Sequence, residues 1–157
     1  MKVVLSLALW FVTLSGLMAG ESSSDLSKGS ERFYSSELDL QVEIGADEHF
    51  MAINTLQHWN VRLMRLDGSP VTIKALTFDG GMPAHRHGLP TTPQTNVLGA
   101  AAQVRGIRFS MPGVWRLTLD MLTEGANVTL GLDVDLRYGQ PPEFQSADFK
   151  SEGLIEL

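Results

Sequence analysis

The chain reads as an all-β domain, an immunoglobulin-like antiparallel β-sandwich of about seven strands. Three observations predict it. Apolar and polar residues alternate with period two along most of the chain. Turn residues punctuate the alternating stretches at short intervals. No stretch carries a capped helical pattern, and the only segment open to a helix is Glu48 to Leu56.

The strands follow in order. Leu38, Leu40, Val42 and Ile44 alternate with Asp39, Gln41 and Glu43. Trp59, Val61 and Leu63 alternate with Asn60 and Arg62 and run to the turn Asp67-Gly68-Ser69-Pro70. Val71 to Asp79 reads as a strand closed by Gly80-Gly81, and Gln103 to Ser110 as another, leading into Met111-Pro112-Gly113. Trp115, Leu117, Leu119 and Met121 alternate with Arg116, Thr118 and Asp120 up to Glu124-Gly125. Val128 to Leu136 then alternates without a break, the clearest strand signal in the chain. The polar members of these runs are expected on solvated outer faces.

The ends read differently. Met1-Lys2, the apolar run Val3 to Val12 and the small residues of Ser15 to Gly20 form the charged, apolar and small-residue regions of a secretory signal peptide over 1–20. The run is broken by Thr13, Ser15 and Gly16, short of the uninterrupted length a membrane anchor needs. The expectation is an exported, periplasmic protein with no membrane span after signal cleavage. Residues 21–36, rich in Ser and charge, are expected to form a flexible leader. Residues 37–139 are the folded domain and 140–157 a loose C-terminal tail.

Composition narrows the function. The 157 residues contain 12 Lys+Arg against 18 Asp+Glu, a net charge of −6, and the bases are scattered. Nucleic-acid binding needs a basic face to neutralise phosphates, so a nucleic-acid partner is not expected. With no cysteine, disulfides, thiolate nucleophiles, iron–sulfur clusters and cysteine–zinc sites are excluded. No Ser sits in a nucleophile turn and no acid pair stands out, so an enzyme is not expected.

One segment is not explained by folding alone. Gly80 to Asn96 is long, and its three prolines and three glycines make it shaped rather than floppy. In extended backbone His85 and His87 point the same way and suit a metal ion. Met82, and Met111 in the similarly punctuated Ser110-Met111-Pro112-Gly113, offer thioethers to the same region. Thioether favours Cu(I), and imidazole accepts both copper oxidation states, so copper is the expected cofactor, with Cu(I) favoured. Zinc prefers a third His or a carboxylate, for which only Asp79 is near in sequence. The bland reading is that the methionines plug one end of the sandwich and that Arg86 disfavours a cation unless it points away. His49 and His58 read as surface or hydrogen-bonded residues.

Gly81-Met82-Pro83-Ala84-His85-Arg86-His87-Gly88-Leu89-Pro90-Thr91-Thr92-Pro93, followed by Gly106 to Trp115 with Met111-Pro112-Gly113, resembles the YtkA-like family, small exported β-sandwich domains related to FixH-type proteins. The resemblance spans Leu56 to Arg137. It implies an association with copper handling and respiratory oxidase maturation, and it implies that Met82, His85, His87 and Met111 are the distinctive site positions. Where many relatives carry a second Met, this chain has Leu89. The cupin pattern, which also presents a His-x-His, is not met: no carboxylate follows His87 and no downstream His closes a second motif. Two roles remain open: a copper carrier or assembly accessory, and a metal-free module that docks on an envelope protein through the 80–96 loop.

Overall fold

Alternating strands have one apolar face each, and two such sheets satisfy each other only by packing those faces together. The computed structural model describes residues 29–46 and 50–153 and shows this arrangement. Ten strands follow in order: β1 (Ser30–Ser35), β2 (Leu40–Ala46), β3 (Gln57–Arg65), β4 (Ala75–Met82), β5 (His87–Gly88), β6 (Gln94–Leu98), β7 (Ala101–Ile107), β8 (Gly113–Leu122), β9 (Ala126–Leu136) and β10 (Glu143–Gly153). They form two five-stranded sheets, β1-β2-β3-β7-β6 and β10-β9-β8-β4-β5. Every ladder is antiparallel.

The apolar members of the alternating runs meet between the sheets. Val42, Ile44, Trp59, Val61 and Leu63 come from the first sheet, and Trp115, Leu117, Leu119, Leu130 and Leu132 from the second, all buried. Aromatic rings cross the seam. Trp59 packs edge-on to Phe78 at 5.4 Å between centroids, and Phe109 lies 6.0 Å from Trp59 and 5.2 Å from Trp115. Gln57 is a polar residue buried in this core: its carboxamide oxygen accepts from the Trp59 indole N–H at 3.0 Å and from the Met51 N–H at 2.7 Å.

The structure has more strands than the sequence predicts, and they are added at the edges. Residues 30–35 of the expected leader form β1, and residues 143–153 of the expected tail form β10. Their reason for folding is mutual. Phe33 is buried, and its ring meets Phe144 edge-on at 5.0 Å, so the two terminal strands cover one side of the sandwich for each other. An edge strand buries few residues, so its period is faint. The short strands β5 and β6 lie in and after the punctuated loop for the same reason. The expected signal peptide, residues 1–20, lies outside the described residues.

Two boundaries also move. Residues 50–56 form turns and a single bridge between Ile53 and Phe109 rather than a helix, with Met51 and Asn54 at φ of 56° and 60°. Val71 to Lys74 is not strand but the crossing between sheets, held by Val71 N–H to Leu63 O, Ile73 N–H to Gly99 O and Lys74 N–H to Leu122 O. β4 begins after it and continues through Gly80-Gly81. Glycine is retained there because of close approach: a Cβ at Gly80 would lie 2.9 Å from Leu117 Cδ2, and one at Gly81 2.9 Å from the His87 carbonyl oxygen. Among the described residues no helix is long and apolar enough to cross a membrane.

The contact between the terminal strands is testable. Phe33→Ala and Phe144→Ala, singly and together, are expected to show a coupling of about 0.5–1.5 kcal/mol in a urea double-mutant cycle. Strictly additive losses would mean that the two strands do not support each other.

Candidate functional site

The turn that carries the histidines is built from the end of β4. The Met82 carbonyl accepts from both the His85 N–H at 3.0 Å and the Arg86 N–H at 2.9 Å, which closes the turn over Pro83-Ala84. Arg86 takes a left-handed φ of 56° and reverses the chain into β5, where His87 lies opposite Met82 and Gly88 opposite Gly81. Leu89 N–H donates to the Gly80 carbonyl and ends the hairpin. The two histidines are therefore not neighbours on an extended strand, as the spacing suggests. A left-handed residue separates them, and their rings nevertheless lie 5.9 Å apart with a tilt of 41°.

That separation suits a shared ion. A metal bound at about 2.0 Å from an imidazole nitrogen sits roughly 3.2 Å from the ring centre, so two rings on one ion have centres no more than about 6.4 Å apart. The His87 Nδ1 lies 2.9 Å from the Gly88 carbonyl oxygen. A carbonyl only accepts, so in the neutral ring Nδ1 carries the proton and the lone pair is on Nε2. Both imidazoles are exposed.

The methionines are placed differently. Met82 is 2% exposed and belongs to the core. Its methyl fills the space over Gly113, where a Cβ would come 2.9 Å from Met82 Cε and where φ is 122°. Met111 is half-buried on the loop before β8 and packs against the core. Trp115 links the two parts of the region. Its buried indole N–H donates to the Met111 carbonyl at 3.1 Å, and its ring meets His87 at 5.8 Å and 73°. The four residues singled out in the sequence thus surround one end of the sandwich, with the imidazoles at the surface and the Met82 thioether beneath. Trp115 and the Gly88 carbonyl are the participants that sequence reasoning missed. The family-like motif contained both, but alternation explained Trp115 as core and nothing marks a carbonyl.

Beside the turn runs a groove of about 360 Å³ lined by Asp79, Gly81, Arg86, His87, Arg116 and Thr118 among others. Arg86 lines it and His85 does not. Partial burial pulls the Arg116 guanidinium down, but its hydrogen bonds to Asp148 and Asp133 together outweigh this and raise its pKa. Its charge is thereby matched by carboxylates. Among the described residues no three His, Asp or Glu gather as a metal-ligand group. His58 is a hydrogen-bonded residue, its Nδ1 accepting from the Gly106 N–H at 3.4 Å, and His49 lies outside the described residues.

Comparison of the chain with protein-family models, with curated proteins and with solved structures finds no match.

The wedge between Met82 and Gly113 makes a direct prediction. Gly113→Ala combines an unfavourable φ with an overpacked contact and is expected to cost about 2–4 kcal/mol in urea unfolding. A loss under about 1 kcal/mol would mean that neither the positive φ nor the Met82 contact constrains this position.

Proposed function

We propose that this chain is an exported, non-catalytic copper-binding domain of the YtkA-like type, acting as a carrier or assembly accessory. The observation that carries the reading is the exposed His85–His87 pair, 5.9 Å apart, with the His87 Nδ1 tied to the Gly88 carbonyl. A carbonyl that occupies one ring nitrogen leaves the other as the ligand and holds the ring in place, the usual support for a metal-bound histidine. Exposure favours exchange of the ion with a partner. Met111, half-buried, is the more accessible thioether, and Met82 is the second sulfur of the set, reached only if the turn opens. The absence of a third His or carboxylate beside the pair, among the described residues, favours a soft low-coordinate ion over zinc. The motif resemblance over Leu56 to Arg137 points the same way.

The test is a Cu(I) titration against a competing chelator. One equivalent bound by the wild type and lost in His85→Ala/His87→Ala is expected, with Met111→Leu weakening binding and Met82→Leu leaving it nearly unchanged. Imidazole binds a metal only when deprotonated. Affinity is therefore expected to fall as the pH is lowered. Wild-type protein that gives up all copper to the chelator at pH 7.5 would sink the reading.

A metal-free docking role for the 80–96 loop is the second reading, favoured by the burial of Met82 in the core. It expects an envelope protein partner whose capture weakens in His85→Ala/His87→Ala while metal content stays at zero. Undiminished capture by that variant would count against it.

A further inference from the structure

β10 pairs with β9 along one edge and ends its sheet. Its register sets Ala147 opposite Leu132 and Phe149 opposite Leu130, which directs both toward the space between the sheets. Yet Ala147 is exposed and Phe149, packed against the core, is only half-buried, while Phe33 of β1 meets β10 at Phe144. A long edge with uncovered apolar residues is a template for another strand, and proteins that avoid such pairing block it with charge. Here the charges have the opposite effect.

On the outer face of β10, Asp148 and Lys150 stand two residues apart, opposite Gly131 and Thr129. Asp148 Oδ1 accepts from Arg116 Nη2 at 2.5 Å, which orients the carboxylate, and Lys150 has no ion pair among the described residues. In an antiparallel pairing of β10 with itself, both inner faces stay on one side only if the two-fold axis passes through a residue. Centred on Phe149, the pairing sets Asp148 against Lys150 twice, Phe149 against Phe149 and Ala147 against Ser151. Moved one residue either way, it sets Asp148 against Asp148 or Lys150 against Lys150, and like charges directly opposite are destabilising. The bulge between Phe144 and Ser146 ends regular pairing on the far side.

We propose that β10 pairs antiparallel with β10 of a second copy of this chain, centred on Phe149, and joins the two second sheets edge to edge. The occupant is a second copy because the strand is complementary in charge to itself in this register, and because the same register brings the two half-buried phenyl rings together.

The chain has no cysteine, so single substitutions read the register directly. Directly opposed residues have Cα atoms about 4.5–5.5 Å apart, inside the disulfide range of about 4.4–6.8 Å. In the full chain, Phe149→Cys is expected to give a covalent dimer under mild oxidation. Ser151→Cys, whose two copies would lie about 13 Å apart along the strands, is expected to give none. Sedimentation equilibrium of the unmodified chain supplies a measurement that does not depend on a core substitution. It should show a dimer, weakened about tenfold or more by the exposed change Lys150→Asp, which sets like charges against each other twice. A wild type that stays monomeric to about 100 µM would overturn the proposal. So would equal cross-linking at 149 and 151, or a dimer indifferent to Lys150→Asp.

Discussion

The burial of Trp115 is the contact on which the rest of the region depends. Its ring is wholly enclosed, its N–H must find an acceptor, and the Met111 carbonyl is that acceptor. An indole N–H left unpaired in such a site costs about 1–3 kcal/mol, so the Met111-Pro112-Gly113 loop is drawn onto the core rather than left free. The same ring supports Phe109 on one side and His87 on the other. Core packing and site geometry are thus set by one side chain. That arrangement gives a surface turn with little buried area of its own a rigid support beneath the His87 ring.

The chemistry at the turn follows from backbone groups as much as from side chains. The Met82 carbonyl gathers two N–H groups, the Gly88 carbonyl selects the tautomer of His87, and the left-handed Arg86 brings the rings within reach. A non-glycine residue in that conformation costs on the order of 1 kcal/mol. Glycine there would remove the cost, and the chain instead keeps a long cationic side chain over the groove that holds Asp79 and Arg116.

The central strands were legible in the sequence because each has two neighbours and a buried face, so burial imposes a strict alternation. Val128 to Leu136 is the plainest case, and Trp59 to Leu63 and Trp115 to Met121 are nearly as plain. Strands β1, β5, β6 and β10 were not legible, since an edge or two-residue strand buries one or two side chains and leaves no period to read. Gly80-Gly81 misled in another way. Two glycines usually mark a stop, but here they mark close approach to Leu117 and to the His87 backbone. At the site, the motif marks two segments that the fold brings together through Trp115, the turn after Met82 and the loop at Met111. What it could not convey is depth: a methionine written three residues from a histidine can stand at the surface or, as Met82 does, beneath it.

The clasp between Phe33 and Phe144 joins the first described strand to the last, and this fixes the order in which the molecule can be completed. A chain made from its N-terminus carries Phe33 long before anything exists to cover it. β2, β3 and β7 can pair, and β4, β8 and β9 can pair, but one flank of the core stays wet until β10 arrives. The closing contact of this sandwich therefore joins strands at opposite ends of the described chain, and contacts so distant in sequence slow folding.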